Sequence, residues 1–152
     1  MKLLKIQEAV ADALKGADGL EGADVVVEDQ GDVAKRLEAS IAKTSRCILV
    51  QTPGFRGTSS ASKVMVGTAT VVVQAIERLV TGRAGGGPTA QDMAEIAAWR
   101  LNMLPAEGVG VLVFKEISSE TLDERTLSYL VRLEVQTTLG DPFAEGRRAS
   151  NG

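Results

Sequence analysis

The sequence contains no histidine. That absence removes the commonest general base, the commonest metal ligand and every Ser-His or Cys-His pair. Cysteine is nearly as scarce. Cys47 stands alone, so no intrachain disulfide forms, and its place in an apolar run marks it as a small buried hydrophobe. Aromatic residues make up 3% of the chain, which leaves Val, Leu, Ile, Ala and Met to build the core. No apolar run approaches the roughly 18 residues that a membrane helix needs, so no membrane partner is expected. Met1-Lys2-Leu3-Leu4-Lys5 begins like a signal peptide, but Gln7, Glu8 and Asp12 interrupt it, and the expected setting is the cytosol. The net charge is −3 with no basic block. This argues against a protein that grips nucleic-acid phosphates, but not against a surface along which DNA slides without sticking.

What is present reads as an ordinary globular chain, with 44% hydrophobic and 24% charged residues. Its 152 residues suffice for one domain, burying roughly 68–70% of the unfolded surface. Leu3, Ile6, Val10 and Leu14 recur at helical spacing up to Gly16. Asp24 to Glu28 reads as a strand, and Asp32 as the cap of a helix presenting Val33, Leu37 and Ile41. Cys47 to Thr52 and Lys63 to Val73 read as two strands, with Gly67 marking a bulge or a close backbone approach. Beyond them, Ala75, Ile76, Leu79 and Val80 predict a short helical turn, and residues 82–88 a flexible connector.

Thr89, with Asp92 three residues on, forms the capping box of a helix with an apolar stripe of Met93, Ile96, Ala97, the Arg100 stem, Leu101 and Leu104, ended by Pro105. On that helix Trp99 is expected to be a partly buried packing residue, with an interface anchor as the alternative, and Met93 and Met103 core filler. Val109 to Ile117 is a strand, 118–124 a polar turn, and Arg125 to Thr138 a long strand with Leu127, Tyr129, Val131, Leu133 and Val135 inward. The sum is an α+β fold, a mainly antiparallel sheet with helices packed on it, over a single domain at 1–139, followed by a disordered tail at 140–152.

No catalytic, cofactor-binding or metal constellation emerges. Gly57 to Lys63 has the texture of a phosphate loop but lacks the second glycine and precedes a strand. Gly108-Val109-Gly110 lacks the third glycine of a dinucleotide fingerprint. The triple glycine at 85–87 precedes a helix with no Lys or Arg in its first turn. The acids Glu28, Asp29 and Asp32, and Glu120, Asp123 and Glu124, fall where turn chemistry already favours them.

The polar insert at 53–62 is far longer than a hairpin needs. It reads as a finger with Phe55 and Arg56 at its tip, an aromatic and a guanidinium of the kind found at interface centres. Phe55, Arg56, Thr58, Ser59 and Lys63 are the candidate interface residues. The competing reading is a plain surface loop.

Several segments resemble the tail-terminator and tail-completion proteins of long-tailed bacteriophages, the lambda-type minor tail protein U and the related family of Mu-like phages. The likeness covers about residues 1–139 and rests on the amphipathic Leu3–Leu14 segment, on "RCILVQTPGFRG" and "KVMVGTATVVVQAIERL" as a long hairpin, on "TAQDMAEIAAWRLNML" as the helix across the sheet, and on "VGVLVFKEISSETLDERTLSYLVRLEVQTTL" as the last hairpin. One departure is the helix at 33–43 between the first two strands.

The resemblance implies a structural protein without enzymatic activity and without cofactors. It would act in the virion at the head-proximal end of the tail, assembled in the host cytoplasm. Such proteins form a ring, commonly a hexamer, that ends growth of the tail tube and meets the head-tail connector or head completion protein, with DNA passing through the lumen. Ring closure needs two different patches on each subunit, and acids facing a lumen would repel the duplex. The alternative is a soluble ligand-binding or regulatory α+β domain with a pocket under the 53–62 loop.

Overall fold

The computed structural model describes residues 1–29, 31–59, 63–79, 87–141 and 143. The first helix, α1, spans Lys2–Leu14, and its stripe is as expected: Ile6, Val10 and Leu14 are fully buried, with Leu3 packed beside them. Gln7, buried on the same helix, donates to the carbonyls of Glu28 and Val50 at 2.7 and 3.2 Å. Gly16 then takes φ +68°, a left-handed conformation that suits glycine and turns the chain.

Strand β1 (Asp24–Val27) leads to α2 (Val33–Thr44), whose first turn is capped by Asp32 through the Lys35 amide at 3.1 Å. Strand β2 (Arg46–Val50) follows and lies parallel to β1. A parallel pair requires a crossover connection. The helix near 33–43 is that crossover.

The insert at 53–62 departs from expectation. Residues Gly54–Ser59 form a strand, β3, paired with Met65–Arg78 (β4) from Gly54 opposite Thr70 to Ser59 opposite Val66. β2 pairs antiparallel with the other half of β4, from Arg46 opposite Glu77 to Val50 opposite Val73. β2 and β3 therefore run one after the other along a single partner, with Pro53 buried at the break. Glycine, serine and threonine read as loop composition, but the long edge of β4 supplies pairing that overrides weak strand propensity. Residues 60–62 lie outside the described residues.

β4 also runs further than its sequence implies. The helical turn expected from Ala75 to Val80 is strand through Arg78, and Val80 lies outside the described residues. Its partner decides this: β8 (Thr126–Leu139) pairs with β4 over its whole length, from Met65 opposite Leu139 to Arg78 opposite Thr126. Of the expected connector at 82–88, only Gly87 and Pro88 are described, and neither is in a helix or strand.

Helix α3 (Ala90–Leu101) carries the full capping box, with Thr89 and Asp92 exchanging bonds at 3.0 Å each. It ends at Leu101, short of Pro105, which instead opens a two-residue strand, β5 (Pro105–Ala106), paired with β6 (Gly110–Val111). Strand β7 covers Val113–Asp123, so the polar turn expected at 118–124 shrinks to Glu124 and Arg125. An edge strand with little burial on either face has no need of apolar alternation, which is why its Ser, Glu and Thr resembled a turn.

The main sheet is mixed and mostly antiparallel, in the order β1-β2-β4-β8-β7, with β3 continuing the β2 side of β4. The α+β expectation holds. One face is covered by α1 and α3 over Ile48, Val50, Val71, Val73, Val131 and Leu133. On the other face α2 covers only the β1–β2 end, through Val26, Ile41, Cys47, Leu49 and Ile76. By strand alternation, Thr68, Thr70 and Val72 of β4 and Leu130, Arg132 and Glu134 of β8 lie on that second face beyond α2. Leu127, expected inward, is exposed at the turn end of β8.

Cys47 sits in the smaller core, where burial pushes its thiol from 9.0 up to about 12, the charge of Asp24 adding to the effect and a hydrogen bond with Ser40 opposing it. Its folded form therefore holds a proton that the unfolded chain releases above about pH 9. Stability from this group is complete below that pH and is lost as pH rises toward 12, by at most about 1.4 kcal/mol per pH unit. Urea unfolding at pH 8 and pH 10 should show a steeper loss for the wild type than for Cys47→Ala. Equal slopes would refute the assignment.

Candidate functional site

The strand assignment at 54–59 separates the expected interface residues. Successive residues of a strand point to opposite faces. Phe55, opposite Ala69, is half-buried against the larger core, while Arg56, opposite Thr68, is exposed on the face that α1 and α3 do not cover. The two do not form a common tip. Thr58 is exposed, and its hydroxyl donates to the Val66 carbonyl at 3.3 Å. Ser59 is placed by its backbone, opposite Val66. Lys63 is exposed beside Val64, Met65 and Val66, all three of them exposed. The apolar surface at this end of the hairpin thus comes from residues 64–66, with Phe55 turned into the core.

The acid clusters resolve into local structure. Asp29 accepts from the Gly31 amide and pairs with Arg36, both at 2.8 Å. Asp32 caps α2, and Glu28 accepts from the Thr52 amide at 3.1 Å. Asp123 accepts from the Arg125 amide at 2.8 Å, and this bond, with help from Thr126, holds its carboxyl below the usual range. Glu120 accepts from Gln74 at 3.5 Å. Among the described residues no three Cys, Asp or Glu side chains are placed to hold a metal ion. Gly110, at φ +154°, passes so close to β8 that a Cβ would lie 2.8 Å from Val135 and 2.9 Å from the Gln136 carbonyl, a packing role. Gly85 and Gly86 lie outside the described residues.

Surface recesses open at three places among the described residues. One is formed by Asp29, Gly31, Asp32, Lys35, Arg36 and Ala39, one by Gly19, Glu21, Pro88, Asp92, Glu95 and Ile96, and one by Arg78 and residues 123–126. None of the three is lined by residues 53–59 or Lys63. No helix among the described residues is long and apolar enough to cross a membrane.

The structure overturns the expected packing role of Trp99. It was expected to be partly buried and is 85% exposed, and Met103, expected in the core, is 64% exposed. The buried side of α3 is Ala90, Met93, Ala94, Ala97, Ala98 and Leu101. Position 99 falls about 200° around the helix from Ala97, so the phase of the stripe already turned Trp99 to solvent. Arg100, by contrast, falls only about 60° from Ala97 and is nevertheless exposed. Met103 stands just past the helix end at φ +65°, its amide donating to the Leu112 carbonyl at 2.8 Å. The fold thus fixes a large aromatic and a methionine outward at one end of α3. Such side chains anchor contacts between proteins, since Trp and Met are enriched where partners bury surface.

A comparison with protein-family models finds no match to the chain, and a comparison with curated proteins finds none either.

Proposed function

We propose that this protein is a structural subunit of the tail-terminator type, which works through surfaces shared with its own copies and with other virion proteins. In this reading copies close into a ring, commonly of six, on the head-proximal end of the tail tube. The ring stops addition of tube subunits, offers its other side to the head-tail connector, and lets DNA pass through the lumen. No bond is made or broken, and no cofactor takes part.

The observation that carries the reading is the exposure of Trp99. A chain with one Trp, one Tyr and three Phe spends its largest side chain on the surface, where it adds nothing to the core. A single exposed hydrophobe is ordinary in a soluble protein. A tryptophan with a methionine fixed outward beyond the same helix end fits a docking anchor. The segment resemblance set out from the sequence supplies the kind of partner, and the mildly acidic charge suits a channel that must not hold DNA.

Trp99→Ala tests it. A side chain this exposed contributes little to folding, so thermal stability should stay within about 0.5 kcal/mol of wild type. Loss of an interface anchor costs about 2 kcal/mol or more, roughly thirtyfold in affinity. With purified tube protein, electron microscopy should show wild type arresting tubes and the variant leaving them to grow. Equal arrest by both proteins would remove the reading's main support.

A further inference from the structure

We infer that copies of this chain join edge to edge, with β3 of one copy pairing antiparallel with β7 of the next. The inference rests on the assembly reading above for its choice of a second copy as the occupant. β3 pairs only with β4, and β7 only with β8, so each leaves one edge unpaired among the described residues. These edges lie on opposite sides of the same sheet. Open edges recruit further strands unless something blocks them.

The two edges match in direction. β3 runs antiparallel to β4, β4 to β8, and β8 to β7, so β3 and β7 oppose one another. A neighbour placed beside the molecule, with its sheet facing the same way, brings its β7 antiparallel to β3. No flip is required, and repeating the step gives the head-to-tail contact that builds a ring.

They are compatible in length. β7 is bulged between Phe114 and Glu116 and again between Thr121 and Asp123, leaving Glu116–Thr121 in unbroken register. At the near end the Phe114 amide is already taken by Asn102, at 3.0 Å. β3 is six residues long but is itself bulged between Gly57 and Ser59, so its regular part is Gly54–Gly57, which fits within that stretch. The bulges confine pairing to that window.

They also match in charge. From residue 39 to residue 76 there is no Asp or Glu, only Lys43, Arg46, Arg56 and Lys63. Residues 113–125 carry Glu116, Glu120, Asp123 and Glu124 against Lys115 and Arg125, four minus two, a net −2. Arg56 lies opposite Thr68, while Glu116 and Glu120 lie opposite Arg132 and Ser128, all on the face that α1 and α3 leave open. In a continued sheet Arg56 therefore arrives on the same face as those two carboxylates. Arg56 has no ion-pair partner among the described residues. Opposite charges facing across strands stabilise the pair, and like charges destabilise it.

The test is charge exchange, read by sedimentation of the full chain over a range of concentrations at low ionic strength. Wild type should self-associate, less so in high salt. Arg56→Glu alone and Glu120→Lys alone should each weaken association on the order of tenfold. Arg56→Glu combined with Glu120→Lys should recover most of the loss. Thermal melts confirm that each variant is folded.

Single variants that associate like wild type, a double variant weaker than either single, or a wild type that stays monomeric throughout would each overturn the joint. Association that ignores these charges while Trp99→Ala still frees tube growth sinks the joint and keeps the assembly reading. The reverse pair of results does the opposite.

Discussion

Glu77→Ala is expected to destabilise the protein by about 3–5 kcal/mol, the range for leaving a buried charge without its partner. Glu77 is 2% exposed, near the end of β4 and opposite Arg46 in the β2–β4 register. One carboxylate oxygen accepts from the Ala90 amide at 3.1 Å, in the first turn of α3, and the other lies 4.0 Å from the Arg46 guanidinium. Arg46 in turn donates from Nε to the Pro88 carbonyl at 2.7 Å. One side chain thus fastens the start of β2, the end of β4 and the entry to α3.

Two neighbours meet the carboxylate there. The α3 N-terminus presents unsatisfied amides and a partial positive charge, and the guanidinium beside it is itself largely buried. At 4.0 Å the ion pair sits at the limit of contact, so the amide bond is the larger share. Glu77→Gln keeps an acceptor of the same size and should cost less, about 1–2 kcal/mol. Against a total stability of about 5–15 kcal/mol, the alanine variant loses about a fifth at the least. Urea denaturation of both variants measures the order. A loss below about 1 kcal/mol for Glu77→Ala, or equal losses for both, would show that the carboxylate does not hold these elements together.

Nothing in the sequence marked Glu77, and the reason is general to this fold. Local signals reported what is settled locally. The stripe of Ile6, Val10 and Leu14, the Asp32 cap and the Thr89–Asp92 box each lie within a few residues and all appear as read. The alternation of Val131, Leu133 and Val135 was legible because one face of β8 is packed and the other is open.

What escaped depends on partners far along the chain. β3 is a strand because β4 offers it an edge, and the polar end of β7 is a strand because β8 runs beside it. Ala75 and Ile76 fit helical spacing as well as strand, and only the pairing with Tyr129 and Ser128 decides between them. At the candidate site, Arg56 and Lys63 were picked from sequence and are exposed. Phe55 was picked for the same surface and packs on the core. That difference follows from reading a finger where two strands alternate their faces. Trp99 needed only the phase of α3, a signal present in the sequence and outweighed by the prior that a lone tryptophan packs inward.

Gly67→Ala should give the other large effect, and it separates the edge of the sheet from its centre. A Cβ at Gly67 would collide with the Arg56 carbonyl oxygen and lie 2.8 Å from the Gly57 Cα. Both obstacles are backbone, so no rotamer change relieves them. The cheapest response is for β3 to leave β4. That abandons a few ladder hydrogen bonds, each worth about 0.5–1.5 kcal/mol net, and part of the burial of Phe55, worth up to about 1.5–3 kcal/mol. A loss of about 3–5 kcal/mol follows.

Gly57, directly opposite in the register, is the control, because a Cβ there meets only the Val66 carbonyl at 3.9 Å. Gly57→Ala should be close to neutral. Hydrogen exchange should show Gly67→Ala losing protection at 54–59 while the amides of α3 and of the β4–β8 ladder from Val71 onward keep theirs. Retained protection at 54–59 with unchanged stability would refute the contact. The variant also removes the β3 edge while leaving Trp99 in place. It should therefore abolish self-association of the free chain, and whatever contact Trp99 makes should survive it.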